Sequence, residues 1–213
     1  MWRWRVNIDE LLKSHRVIPV LTENDPAVAV KLVAAMIVSG LTCVEVALRT
    51  PNALEVIKTL GQEFSGLCVG AGTLRDAGDF SRVQKAGAKF AVSPGASLEL
   101  LAEAENWDLP YLPAAASVSE IMSLQGRGYS VVKLFPAEQL GGVGFIKAVS
   151  GPLPDMTFVP SGGVHLKNAR DYLALPQVVA VSGSWMLDKS SVAAKDWQAI
   201  ADASAESAKL ITA

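Results

Sequence analysis

The chain has 213 residues, half of them apolar, enough for one large domain or two small ones around a sizeable core. Its 19 basic and 21 acidic residues leave a net charge of −2, and no basic cluster is longer than Trp2-Arg3-Trp4-Arg5. This balance lacks the electrostatic footprint of a nucleic-acid or anionic-membrane binder, and two histidines cannot assemble a histidine-rich metal site.

From the N-terminus, a short helix is predicted over residues 7–14, followed by an alternation of apolar β-rich runs and helix-patterned stretches. The runs are 17–21, 43–48, 67–70, 90–93, 111–113, 130–135, 157–160 and 178–182. Between them lie 26–39, 51–64, 76–86, 97–106, 117–127 and 168–174, several opening on Pro, Asp, Ser or Asn, and a last helix is predicted over 195–210. Strands recurring about every 20 to 27 residues imply parallel pairing through right-handed crossovers.

Eight such units without a linker or composition break predict one α/β domain over 1–213, a (β/α)₈ TIM barrel with a short N-terminal helix. An open doubly wound sheet would carry a glycine-rich phosphate loop after its first strand; Pro19-Val20-Leu21-Thr22-Glu23-Asn24 is not one. Cys43 and Cys68 sit in apolar strand-like contexts without metal-ligand spacing and are expected as buried free thiols. Residues 1–9 lack the apolar core of a signal peptide, and no stretch has the length of a membrane span. A soluble cytoplasmic protein is the expectation.

The run Ser130-Val131-Val132-Lys133-Leu134-Phe135-Pro136-Ala137 carries a lysine among valines. Burying an unpaired ammonium is expensive, so packing does not explain it. Alternation places Val131, Lys133 and Phe135 on one face and Val132 and Leu134 on the other. If the apolar pair meets helices, Lys133 faces the barrel interior, where desolvation favours the neutral nucleophilic amine. The competing reading is a lysine snorkelling to water from an exposed strand end.

In Val44-Glu45-Val46-Ala47-Leu48-Arg49 the same alternation turns Glu45 and Arg49 inward. Glu45 beside a lysine suits a proton shuttle, and Arg49 suits capture of a carboxylate or phosphate, with a rim salt bridge as its plainer reading. Val69-Gly70-Ala71-Gly72-Thr73 follows; its glycines allow close backbone approach to a ligand, while Thr73 offers a hydroxyl or a helix cap. Ser93-Pro94-Gly95 reads as a turn. Pro160-Ser161-Gly162-Gly163 and Ser182-Gly183-Ser184-Trp185 end the last two strands, where barrels often bind phosphate through backbone N–H groups.

These motifs, in this order and spacing, resemble the pyruvate-dependent class I aldolases of the 2-keto-3-deoxy-6-phosphogluconate (KDPG) and 4-hydroxy-2-oxoglutarate type, over nearly the whole chain. The resemblance implies a homotrimeric barrel of Entner–Doudoroff carbohydrate metabolism, with a 2-keto-3-deoxy sugar acid phosphate and pyruvate as ligands. It implies no metal and no cofactor beyond a covalent Schiff base on Lys133. By motif position Lys133 matches the Schiff-base lysine and Glu45 the general acid/base. Arg49 and Thr73 match carboxylate-holding residues, Gly162, Gly163 and Ser184 the phosphate cradle, Phe135 an aromatic wall beside the lysine and Pro94 a residue near the pyruvyl end.

Two departures bear on the substrate. Pro113 is followed by Ala114-Ala115-Ala116-Ser117 where the family usually has Gly-Ile-Ser-Thr, and Ser161 replaces a threonine, keeping the hydroxyl that meets the substrate's C4 oxygen. The C4-epimeric phosphogalactonate and 4-hydroxy-2-oxoglutarate therefore stand as sibling substrates, and a barrel that binds sugar phosphate without chemistry as a remote alternative. Replacing Lys133 by Ala is expected to abolish turnover and leave the fold as stable or more so. Trp2, Trp4 and Trp197 are candidates for a plug at the barrel bottom or an interface.

Overall fold

The structure is a computed structural model that describes residues 8–211; Trp2 and Trp4 lie outside them. Helix α1 (Ile8–Ser14) leads into β1 (Val17–Leu21). Asp25 then caps α2 (Pro26–Val38), accepting from the Ala27 N–H, and Pro26 takes the first turn, where no N–H is needed. The chain continues through β2 (Cys43–Ala47), α3 (Ala53–Glu63), β3 (Cys68–Gly72), α4 (Gly78–Lys85) and β4 (Ala91–Val92). Ser97 and Ser117 cap α5 (Leu98–Ala104) and α6 (Val118–Gly126), which flank the short strands β5 (Tyr111–Leu112) and β6 (Ala114–Ala115). After β7 (Val131–Leu134) come α7 (Gly142–Ser150), β8 (Thr157–Pro160), α8 (Leu166–Leu173), β9 (Val181–Gly183), α9 (Lys189–Ala194) and α10 (Trp197–Ala208).

All strand pairs are parallel, in two ladders ordered β5-β4-β3-β2-β1-β9 and β6-β7-β8. Only Pro113, which has no N–H to donate, separates β5 from β6. The segment before it pairs with β4, and the segment after it pairs with β7, where Ala114 is the partner of Lys133. Isolated bridges Phe158↔Val178 and Ser161↔Ser182 join β8 to the β9 segment. The predicted run 111–113 thus covers β5 and Pro113, and the chain continues beyond it into β6, which pairs with the next neighbour. The sequence pattern misses α7 because Gly141, Gly142 and Gly144 crowd its start.

Two apolar layers follow from strand alternation. Val44, Val46, Val132 and Leu134 join the larger core, packed with α2 residues such as Leu32 and Met36. Cys43, Val131, Ile18, Phe90, Val92, Leu112, Val159 and Ala180 form a second core on the other strand face. Leu12 of α1 is fully buried in it, with Ile8 and Leu11 alongside. Trp197, the one of the three candidate tryptophans among the described residues, packs against the larger core. Cys43 and Cys68 are cross-strand partners and both are free thiols, but only Cys43 is buried; Cys68 is half-exposed.

Candidate active site

The second core ends where the polar residues begin. Two positions beyond Cys43 on β2 stands Glu45, and two beyond Val131 on β7 stands Lys133, each on the face that its lower neighbour gives to the interior layer. Both are buried, at 3 % and 6 % exposure. Lys133 Nζ donates to Glu45 Oε1 at 3.2 Å and lies 3.4 Å from Oε2. The lysine is therefore inside and paired, which removes the snorkelling alternative.

Three contacts fix this pair. The Phe135 ring centroid is 5.7 Å from Nζ, a cation–π distance. Ser182 Oγ, fully buried on β9, donates to Glu45 Oε2 at 3.4 Å. Gly72 makes room for the carboxylate, since a Cβ there would fall 2.1 Å from Glu45 Oε1. At Gly70 a Cβ would strike the Phe90 ring at 2.2 Å. Both glycines of β3 thus accommodate this chain's own side chains, where the sequence pattern predicts close approach to a ligand.

Around the pair, the rim is assembled from loops. Strand β2 stops at Ala47, so Arg49 is not an inward strand residue; it is exposed and donates to Thr22 Oγ1 at 2.5 Å. Thr73 does not cap the next helix, whose N-cap is Ala77, and instead adopts φ +67°. That left-handed conformation is strained for a β-branched residue. Pro94 is exposed in a turn held by its neighbours: Ser93 Oγ donates to the Gly95 carbonyl at 2.5 Å and accepts from Tyr111 Oη at 2.6 Å. Burial raises the Tyr111 phenol well above its ordinary range, against the opposing pull of Ser93, so it remains a donor.

Gly162 and Gly163 turn the chain after β8 with φ of +90° and +79°, and Ser184 follows β9. A cavity of about 250 Å³ is lined by Glu45, Arg49, Thr73, Pro94, Lys133, Phe135, Ser161, Gly162, Gly163 and Ser184, together with Val20, Val164 and Gly183. Every candidate site residue read from the sequence meets in this one cavity. Ser182 escaped that reading because its contact with Glu45 spans 137 residues and no local pattern marks it. Among the described residues no group of three or more His, Cys, Asp or Glu could hold a metal ion, and no helix is long and apolar enough to cross a membrane.

Chemically, the cavity offers a buried amine within proton-transfer distance of a carboxylate, together with an exposed guanidinium and a glycine turn in its lining. The amine can form an imine with a ketone, and the carboxylate can move the protons that step requires.

Residues 8–203 match the family described as KDPG and KHG aldolase. A 2-dehydro-3-deoxy-phosphogluconate aldolase of Pseudomonas aeruginosa is 46% identical over 190 residues, covering 89% of this chain and 86% of that protein. The KHG/KDPG aldolase of Escherichia coli is 36% identical over 200 residues, 94% of each chain. A crystal structure of KDPG aldolase from Legionella pneumophila, with pyruvate captured as a covalent carbinolamine intermediate, superposes with a TM-score of 0.91 at 37% identity, covering 95% of this chain and 98% of that one.

Proposed function

The chain belongs to the KDPG and KHG aldolase family and is a Schiff-base, class I aldolase; we propose that it cleaves 2-keto-3-deoxy-6-phosphogluconate reversibly to pyruvate and glyceraldehyde 3-phosphate through an imine on Lys133. The observation that carries the assignment is the 3.2 Å contact between the buried Lys133 amine and the Glu45 carboxylate at the cavity.

In this reading Glu45 takes a proton from Lys133, and the freed amine attacks the C2 ketone. Glu45 returns a proton to the departing hydroxyl of the carbinolamine, so that water leaves and a protonated imine remains. Glu45, directly or through one water, then takes the C4 hydroxyl proton. The C3–C4 electron pair flows into the iminium, releasing glyceraldehyde 3-phosphate and leaving an enamine. Protonation at C3 and hydrolysis give pyruvate and free Lys133. The iminium is the electron sink, which is why the class needs no metal for this step.

Arg49 and Thr73 hold the substrate carboxylate, and their place on the same cavity as Lys133 supports this. Gly162, Gly163 and Ser184 cradle the phosphate, Phe135 and Pro94 flank the pyruvyl carbons, and Ser161 meets the C4 oxygen. The ladder crossing from β4 to β7 through the Pro113 segment, with the two bridges between β8 and β9, supports a closed (β/α)₈ barrel. We read residues 1–213 as one such domain. A cytoplasmic homotrimer acting in the Entner–Doudoroff route is the accompanying proposal, and sedimentation of the purified chain tests the trimer.

The name of the Escherichia coli relative favours a second activity, cleavage of 4-hydroxy-2-oxoglutarate by the same imine chemistry. Incubation with pyruvate and borohydride, followed by intact mass and peptide mapping, tests the shared mechanism. A reduced pyruvyl adduct on Lys133 is expected, and folded protein without it would overturn the assignment. Turnover compared on KDPG, its C4 epimer and 4-hydroxy-2-oxoglutarate then decides the substrate.

A further inference from the structure

The Gly162-Gly163 turn is held by two residues that do not line the cavity. Glu138 begins a short 3₁₀ turn after β7, and its N–H donates to the Gly162 carbonyl at 3.1 Å. Its side chain lies against the turn itself, because a Cβ at Gly163 would sit 2.6 Å from both Glu138 Cβ and Cγ. The far end of that side chain is pinned in turn. Glu138 Oε1 accepts a hydrogen bond from Tyr172 Oη, and Tyr172, on α8, is completely buried at 0 % exposure.

Glu138 is otherwise exposed. Without the phenol its carboxylate is free to turn to water and carry Cγ away from Gly163, so that only Cβ still packs on the turn. Burial and the Glu138 carboxylate both push the Tyr172 phenol upward, which keeps its proton in place for donation to Glu138. The N-terminus of α7 packs on the same pair, since a Cβ at Gly142 would lie 3.0 Å from Glu138 Oε1 and 3.1 Å from Tyr172 Oη.

We propose that Glu138 and Tyr172 are positioning residues for the phosphate end of the substrate, acting by locking the backbone of Gly162 and Gly163. The proposal rests on reading that turn as the phosphate cradle. It predicts an effect confined to the phosphorylated substrate, since neither residue lines the cavity beside Lys133 or Glu45.

The test compares Tyr172→Phe, Glu138→Ala and Glu138→Gln with the parent enzyme, each checked for its melting temperature. Substrates are KDPG and 2-keto-3-deoxygluconate, the same acid without phosphate. Tyr172→Phe keeps the ring and deletes the hydroxyl; with Glu138→Ala it is expected to raise the KM for KDPG about three- to tenfold at nearly unchanged kcat. Turnover of the unphosphorylated acid stays as in the parent, and Glu138→Gln, whose amide oxygen still accepts from Tyr172, restores the parent KM. An unchanged KM for KDPG, or equal loss on both substrates, overturns the proposal. A parent enzyme with no preference for the phosphorylated acid overturns the cradle reading beneath it. Glu138→Ala decides the matter alone if Tyr172→Phe fails to fold.

Discussion

Lys133 Nζ and Glu45 Oε1 meet at 3.2 Å across 88 residues of sequence, both buried on the inward face of parallel strands. Removing either partner leaves the other desolvated and uncompensated, which is strongly destabilising. Lys133→Ala is therefore expected to abolish turnover and also to lower stability by about 3–5 kcal/mol. This reverses the sequence-based expectation that the variant is as stable as the parent or more so, because the 3.2 Å pairing leaves a buried carboxylate behind when the lysine is removed. Denaturant unfolding should show the loss, and a Lys133→Met/Glu45→Leu double variant should recover most of it while staying inactive.

Gly72 tests the same pair from the backbone. A methyl group 2.1 Å from Glu45 Oε1 and 2.6 Å from its Cγ must push the carboxylate aside. Gly72→Ala is expected to reduce kcat about as much as Glu45→Gln, by roughly 10²- to 10⁴-fold. Steady-state kinetics with a circular dichroism control would check it, and an unchanged kcat would mean that Glu45 need not stand where it does.

Thr73 carries backbone strain at φ +67°. Glycine adopts that conformation freely, so Thr73→Gly should gain about 1 kcal/mol, or some 2–4 °C in melting temperature. If Thr73 holds the substrate carboxylate, the same variant should bind pyruvate more weakly. Gain of stability with undiminished pyruvate affinity would leave the threonine without a functional reason.

His15 introduces a pH dependence. Burial lowers its imidazole below the ordinary 6.5, so the unfolded chain binds the proton more readily than the folded one. The stabilisation is complete above the unfolded value and is lost as pH falls through the folded one. Melting temperatures recorded from about pH 7.5 down to 5 should decline less steeply in His15→Gln than in the parent, with the unfolded reference near 6.5.

The two thiols should differ in reactivity. Cys43 is buried and its thiol is raised by its hydrogen bond with Cys68 and by desolvation; Cys68 is lowered by Cys43, against partial burial, with help from Lys89. Iodoacetamide at neutral pH is expected to label Cys68 on the folded protein and spare Cys43. Peptide mapping that found Cys43 modified first would contradict this.

Much of the architecture is written in short-range pattern. Period-two alternation turns Lys133, Glu45 and Val131 inward and Val132, Val44 and Val46 toward helices, because successive strand side chains point to opposite faces whatever their partners. The order of the motifs and their place at strand ends likewise determined which residues belong to the cavity. Distances between elements obey no such local rule. The pairing of Lys133 with Glu45, the Ser182 contact, the space that Gly72 leaves for a carboxylate and the Tyr172–Glu138 clamp all depend on strand register and stagger across the sheets. Where the strand itself ends is also a tertiary matter, which is why Arg49 stands at the rim and not inside. Those quantities are set by how the whole chain packs, and only the tertiary structure decided them.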